Sequence, residues 1–281
     1  MTIAEALRYA ARRLGESGVA EHAREANSLL RFITGRDRAF FVAHPERELT
    51  AGELSHFKNA VSRRAKREPL QYITGKQEFF GRDFLVTPDV LIPRPETEML
   101  VQHAIEILRD NSDAVFAEVG VGSGCIAVSI LAECTNATAA GLDISPTALA
   151  VAKRNATAYG VNQRLELLES DLFAAVNGRQ FTLIVSNPPY VPLDDLKTLQ
   201  AEVSSFEPRV ALTDGGDGLS IIRRIIDHAP GYLRRGGVLL LEIGMGQAER
   251  VLTMFDPATW CEIQFHRDFQ DIPRIARSVL K

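Results

Sequence analysis

The chain has 281 residues, 46% hydrophobic and 24% charged, with 32 Lys+Arg against 36 Asp+Glu for a net charge of −4. Such a length suits two domains with buried cores, whereas net acidity speaks against a protein that grips a long nucleic acid by itself, since that binding rests on a basic footprint. No run approaches the roughly 18 apolar residues of a membrane span.

The opening stretch MTIAEALRYAARRLGE is amphipathic and of mixed charge, unlike a secretory signal, so a cytoplasmic location is expected. Cys125, Cys134 and Cys261 form no CxxC pair and have no histidine at zinc-ligand spacing, which predicts buried free thiols and no metal. None of the six histidines lies in a segment that looks like a site.

Ile3, Leu7, Ala10, Ala11 and Leu14 recur at helical spacing, as do Ala26, Leu29, Leu30 and Ile33 before Gly35. A third helix is predicted after Thr50 through Leu54, Phe57 and Val61, closed by Pro69. Residues 1–70 therefore read as a small all-α domain carrying 13 Lys+Arg and 9 Asp+Glu, net +4, against −8 for the remainder. The basic run Arg63–Arg67 reads as a solvated helix end suited to the helix dipole, with a binding patch as the alternative.

From residue 71 to 98 the texture changes. KQEFFGRDFLV suits a β-hairpin turning near Gly81 and Arg82, and TPDVLIPRPETE runs extended until Pro95 or Glu96 opens a helix, so this stretch reads as a connector. Over 99–281, apolar strand-like runs (AVFAEV, TAAGLD, LELLES, FTLIVS, VLLLEI) alternate with helical patterns such as Pro146–Tyr159 and Leu219–Leu233. The prediction is an α/β domain with a doubly wound, mainly parallel sheet, to which the chain end adds two further strands as an antiparallel pair.

Three strand ends carry chemistry. In FAEVGVGSGCIAVSI, Gly120, Gly122 and Gly124 let the backbone of a loop that also contains Val121 and Ser123 approach a ligand at the start of a helix. Cys125 stands where a dinucleotide fingerprint needs Gly or Ala, and Gly-x-Gly-x-Gly after a strand resembles the loop of S-adenosylmethionine-dependent methyltransferases; a tight β-α turn is the plain alternative. The next strand ends in Asp143, placed to accept from both ribose hydroxyls of an adenosine, with an ordinary residue near the helix start at Pro146 as the alternative, and the third in Asp171 and Leu172, suited to the adenine amino group and ring.

The fourth strand ends in SNPPY. Pro188 and Pro189 cannot extend a ladder, so the strand stops rigidly and exposes the Asn187 amide, two proline carbonyls and the Tyr190 ring. The Asn187 side-chain oxygen and the Pro188 carbonyl can each accept one N–H of a planar –NH2 group, and Tyr190 can pack on it. An amide nitrogen is a poor nucleophile, so orientation and polarisation are most of what a protein can supply, and no general base is required in the motif.

Taken together, PLQYITG, LIPRPETE, EVGVGSGCIAVS, LDIS, SNPPYV, FEPRVALTDGGDGL and LLLEIG resemble the bacterial peptide-chain release factor glutamine methyltransferases over nearly the whole chain. That resemblance implies a seven-stranded Rossmann-like sheet and a helical N-terminal domain that docks the release factor. It implies S-adenosylmethionine as donor and N5 of the glutamine in a Gly-Gly-Gln tripeptide as acceptor, with Arg94 and Glu96 beside the active site. A monomer is the expected form. Two positions depart from the family: Glu118 replaces the usual Asp, still long enough to reach the methionine amine, and Leu172 replaces a frequent aromatic beside adenine. In FEPRVALTDGGDGL, Glu207 and Arg209 read as shaping residues of a loop over the cleft, with a turn role as the alternative. Rival readings are a ribosomal-protein glutamine methyltransferase, whose members diverge after Ile-Pro-Arg, a nucleic-acid amino-methyltransferase, which lacks its basic patch here, and a non-catalytic cofactor-binding module.

Overall fold

Thr2 and Thr50 each begin a helix with a complete capping box, their hydroxyls accepting from the amides of Glu5 and Glu53 while those carboxylates reach back to the threonine N–H. The computed structural model describes residues 1–281, which divide into two compact units, 1–76 with 200–206 and 77–199 with 207–281. The first unit contains α1 (Ile3–Glu16), α2 (His22–Thr34), α3 (Arg38–Ala43), α4 (Ala51–Ala65) and α5 (Leu70–Thr74) around Ile3, Leu14, Leu29, Leu30, Phe41 and Phe57. The short α3 and α5 were not among the expected elements; six and five residues are too few to display a helical period.

The basic run is neither a solvated end nor an open patch. Arg64, 5% exposed, is clamped between Glu25 and Glu202, Arg67 reaches Glu202 at 2.6 Å, and Arg63 pairs with Glu68. Sequence reasoning could not see this, because Glu202 arrives from a segment 135 residues away from Arg67.

The second unit starts with a hairpin, β1 (Lys76–Phe79) and β2 (Arg82–Leu85), so the expected connector 71–98 is divided between the units. Its turn is Phe80–Gly81, one residue earlier than expected. Both have positive φ, the requirement of a two-residue hairpin turn that matches strand twist, and the Phe80 amide donates to Glu98 at 2.8 Å. Next come α6 (Glu98–Leu108), β3 (Val115–Val119), α7 (Cys125–Glu133), β4 (Thr138–Asp143), α8 (Pro146–Ala158), β5 (Leu165–Glu169) and β6 (Phe181–Ser186). After α9 (Ala201–Phe206), which belongs to the first unit, the chain forms α10 (Arg209–Leu212), α11 (Ser220–His228), β7 (Leu233–Glu242), α12 (Ala248–Leu252), β8 (Trp260–Arg267) and β9 (Pro273–Leu280).

The seven-stranded sheet runs β5-β4-β3-β6-β7-β9-β8, with the first five strands parallel and β9 antiparallel to both its neighbours. Alternation along β6 sends Leu183 and Val185 into one core with α6, α7 and α8, and Ile184 into the other with α11 and Trp260. Burial on both faces explains why the parallel strands read as continuous apolar runs. Between β3 and β6 the sheet order reverses direction of growth, and a ligand crevice is expected at the carboxyl ends of strands at such a switch point. Those ends carry Glu118, Asp143 and Asn187.

Candidate active site

A cavity of about 350 Å³ opens at the carboxyl ends of β3, β4, β5 and β6, within the range of small-molecule sites. It is lined by Glu118, Gly120, Val121, Gly122, Ser123, Asp143, Asp171, Leu172, Asn187, Pro188, Pro189 and Arg94. Gly124, Glu96 and Tyr190 are not among the lining residues. None of the six histidines lines it, and no group of three or more His, Cys, Asp or Glu residues could hold a metal ion.

The glycine loop is fixed from both sides. Asp143 accepts from the Gly122 amide through Oδ2 at 2.8 Å and from the Ser145 amide through Oδ1 at 2.9 Å, so its carboxylate is aimed before any ligand arrives while each oxygen retains a second lone pair. Gly124 has φ +79° and a side chain there would sit 3.2 Å from Ala152 Cβ, so only glycine lets the loop close onto α8. Asn155, 2% exposed and unforeseen from sequence, donates to the Ser123 carbonyl at 2.8 Å and pairs both ways with the Leu85 backbone.

Glu118 is 1% exposed, and its Oε2 accepts from the Ala127 amide at 2.8 Å. Because the helix begins at Gly124, which has no capping side chain, the strand carboxylate caps α7 instead. Burial pushes its carboxyl well above the ordinary range, with Asp143 adding to the effect, so the site favours a cation that would restore the charge. The three cysteines are free; Cys125 lines the cavity, but burial pushes its thiol up to about 12 and leaves it unreactive.

At the third strand end, Leu172 adopts φ +50°, held by Ser170, whose hydroxyl donates to the Leu172 carbonyl at 2.8 Å. Asp171 accepts from Arg224 of α11 at 2.9 and 3.0 Å. Arg224 also lines the cavity and competes for the carboxylate assigned to adenine.

The Asn-Pro-Pro-Tyr turn follows Ser186, whose buried hydroxyl donates to the Val119 carbonyl at 2.7 Å and ties β6 to the start of the glycine loop. Asn187 Nδ2 donates to Thr97 Oγ1 at 3.1 Å, which leaves Asn187 Oδ1 uncommitted beside the cavity. Tyr190 is directed differently from the expectation: its hydroxyl donates to Glu242 Oε1 at 3.2 Å and its ring lies against Gly244. The Tyr190 carbonyl accepts from Gln247 Nε2 at 2.9 Å, and Gln247 Oε1 accepts from the Gly244 amide at 2.8 Å. Gly218, with φ +76°, packs so closely that a Cβ would fall 2.1 Å from the Tyr190 carbonyl oxygen. Thr97, Glu242 and Gln247 were not anticipated, although a carboxylate ending the apolar run VLLLEIG needs a buried partner and could have signalled one.

Arg94 lines the cavity mouth and is held at 2.5 Å by Glu207, whose other oxygen accepts from the Ile92 amide at 3.1 Å. Glu207 is thus a buried clamp on residues 92–94, whereas Arg209 and Glu96 are exposed.

Comparison with known proteins agrees with this architecture. Residues 5–75 match the PrmC N-terminal domain family and residues 96–217 the methyltransferase small domain family. A methyltransferase from Pyrococcus furiosus superposes with TM-score 0.54 at 16% identity, over 72% of this chain and 90% of that one, a likeness of fold. The sheet order, the cavity and the matching domain define an S-adenosylmethionine-dependent methyltransferase. The chain is 44% identical to the release factor glutamine methyltransferase of Geobacter sulfurreducens, over 98% of this chain and 95% of that one. It is 42% identical to that of Cereibacter sphaeroides, over 100% and 99%. The chain belongs to the release factor glutamine methyltransferase family.

Proposed function

We propose that this protein methylates the side-chain nitrogen N5 of the glutamine in the Gly-Gly-Gln motif of peptide-chain release factors, with S-adenosylmethionine as donor, and thereby modulates translation termination. The observation that carries the reading is Asn187: with Nδ2 spent on Thr97, it offers the cavity an acceptor oxygen beside a rigid Pro-Pro turn, the polarity that a planar –NH2 group requires.

The cavity suits the donor. Its volume, the backbone-fixed Asp143 carboxylate, the close-packed glycine loop and the buried Glu118 match a nucleoside with a cationic amino-acid arm. Asp143 would hold the ribose, Asp171 and Leu172 the adenine, and Glu118 with the loop Gly120–Gly124 the amino-acid part. When bound, S-adenosylmethionine supplies a methyl group activated by a positively charged sulfur. Asn187 Oδ1 and the Pro188 carbonyl each take one N–H of the glutamine amide and aim its lone pair, Pro189 keeps the turn stiff, and Tyr190 secures it through Glu242. Arg94, clamped by Glu207, shapes the mouth that the substrate loop enters. After transfer the nitrogen is strongly acidic and loses its proton to water, so no dedicated base is needed.

The helical unit is assigned to docking the release factor, since one exposed glutamine offers too little surface for selectivity. A protein working in the cytoplasm as a monomer fits this role, and no helix is long and apolar enough to cross a membrane. The test is transfer of labelled methyl to purified release factor, run beside a factor whose Gly-Gly-Gln glutamine is changed. Label on the intact factor alone supports the reading; equal label on both, or none on either, overturns it.

A further inference from the structure

Pro188 and Pro189 have no N–H, so at these two residues the backbone of the active turn can be held only through its carbonyls. The chain leaving the turn is tied in the ordinary way. The Val191 amide donates to the Leu212 carbonyl at 2.9 Å and the Leu193 amide to the Gly216 carbonyl at 2.8 Å. The last carbonyl of the turn itself, that of Tyr190, goes to a side chain, Gln247.

Gln247 is 7% exposed and does not line the cavity, so any effect it has on the reaction must pass through a neighbour. Its amide joins three segments. Nε2 donates to the Tyr190 carbonyl at 2.9 Å and, more loosely, to the Gly218 carbonyl at 3.4 Å, while Oε1 accepts from the Gly244 amide at 2.8 Å. Two N–H bonds and one oxygen thus meet two carbonyls and one N–H. The opposite orientation would set N–H against N–H and oxygen against two carbonyls, so the surroundings admit the amide in one sense only. The junction is also tight: a Cβ on Gly218 would fall 2.1 Å from the Tyr190 carbonyl oxygen, and one on Gly244 would fall 2.9 Å from Gln247 Oε1 and 3.1 Å from Tyr190 Cδ2. A side chain at either glycine would push on Tyr190 or Gln247.

We propose that Gln247 is a positioning residue for methyl transfer: by holding the Tyr190 carbonyl, it fixes the far end of the turn whose near end, Asn187 and Pro188, orients the substrate amide. This inference rests on the glutamine-methylating reading and deepens it. The near end has its own ties, from the Ser186 hydroxyl to the Val119 carbonyl at 2.7 Å and from Asn187 to Thr97 at 3.1 Å. With both ends held and two prolines between them, Asn187 Oδ1 and the Pro188 carbonyl keep a common aim, as two acceptors for one planar –NH2 group must. Released at Tyr190, the turn can swing about its near anchor and that aim is lost. The donor loop does not depend on this tie, because Asp143 holds the Gly122 amide directly.

The test compares the unaltered enzyme with Gln247→Met, which removes all three bonds at similar volume, and Gln247→Glu, which keeps the acceptor for Gly244 and loses the donors. Each is expected to lower kcat for methyl transfer to the release factor by about tenfold or more, with cofactor Kd unchanged within about twofold. Retained cofactor binding also shows that the variant is folded. A purely structural role would cost the same factor whatever the turn carries, so Gln247→Met is repeated in the Asn187→Ala enzyme. There, a further loss of less than about twofold is expected, because the acceptor that Gln247 helps to aim is already gone. Either variant keeping its kcat, a fall in cofactor affinity that matches the fall in kcat, or an equal loss in both backgrounds overturns the inference. A substrate-free readout separates it from the reading beneath it: the Asn187 side-chain amide resonances, identified by their loss in Asn187→Ala, should shift in both Gln247 variants while the Gly122 amide resonance stays in place. If they shift although the release factor takes no methyl, the substrate assignment fails and the positioning of the turn stands; if they do not shift, the positioning role fails.

Discussion

On the donor side of the cavity, Asp143 and the Gly122 amide, 21 residues apart, hold each other through backbone donors and a short loop. On the acceptor side, Asn187 is held by Thr97, 90 residues away, and Tyr190 by Glu242 and Gln247, 52 and 57 residues away. The contact between Asp143 and the Gly122 amide is therefore a backbone contact of short range, although Asn155 also holds the glycine loop from 32 residues away, whereas the acceptor side rests on side chains that tertiary folding delivers. Under the proposed function, substitutions on the donor side are expected to act on cofactor affinity and those on the acceptor side on rate.

The largest effect should come from the acceptor side. Asn187→Ala removes the acceptor and is expected to lower kcat by about a hundredfold or more while cofactor Kd changes by less than about threefold, measured by single-turnover transfer and calorimetry. An equal loss of both would erase the distinction between the two sides.

Next is a stability effect at Glu242. Because the folded carboxyl binds its proton up to about pH 7, against an ordinary value of 4.5, its contribution is fully present below pH 4.5 and lost as pH rises through 7. Glu242→Gln cannot ionise and escapes that loss. Relative to the unaltered protein it should gain stability between pH 4.5 and 7, by up to about 3 kcal/mol at about 1.4 kcal/mol per pKa unit, in denaturant titrations at the two pH values. A gain in stability joined to a loss of rate would mark Glu242 as a group retained for function.

Asp143→Asn tests the donor side. One of its two functional atoms becomes an N–H facing the Gly122 or Ser145 amide, so cofactor Kd is expected to rise by about tenfold with kcat at saturation nearly unchanged. The smallest effect belongs to Arg224→Ala. The Arg224–Asp171 pair is about half exposed on both partners, so stability should change by less than about 1 kcal/mol, and cofactor Kd should fall slightly because Asp171 is released to its ligand.

The same contrast explains what could be read from the sequence. Gly120–Ser123, Asp143 and Asn187–Pro189 are legible as positions that line the cavity because each belongs to a local pattern at a strand end. The parallel strands are legible as apolar runs ended by those motifs, although β7 starts five residues before Val238, across Arg234–Gly237, and pairs irregularly with β6 between Phe181 and Leu183. The helix expected over Leu219–Leu233 ends at His228, since Pro230 diverts the chain into a short 3₁₀ turn. Asn155, Thr97, Gln247 and Arg224 carry no local mark, because an amide, a hydroxyl or a guanidinium on a helix or loop gains its role only from what the fold sets opposite. Tyr190 shows the limit within a motif: its position is legible, but its direction toward Glu242 depends on a strand 52 residues later.

The most direct measurement is to incubate the protein with S-adenosylmethionine and a purified release factor, digest the factor, and locate the added methyl group by mass spectrometry. One methyl is expected, on the side-chain nitrogen of the Gly-Gly-Gln glutamine, absent when Asn187→Ala replaces the unaltered enzyme. A methyl on any other residue, or an unmodified factor from an enzyme that binds its cofactor, would contradict it.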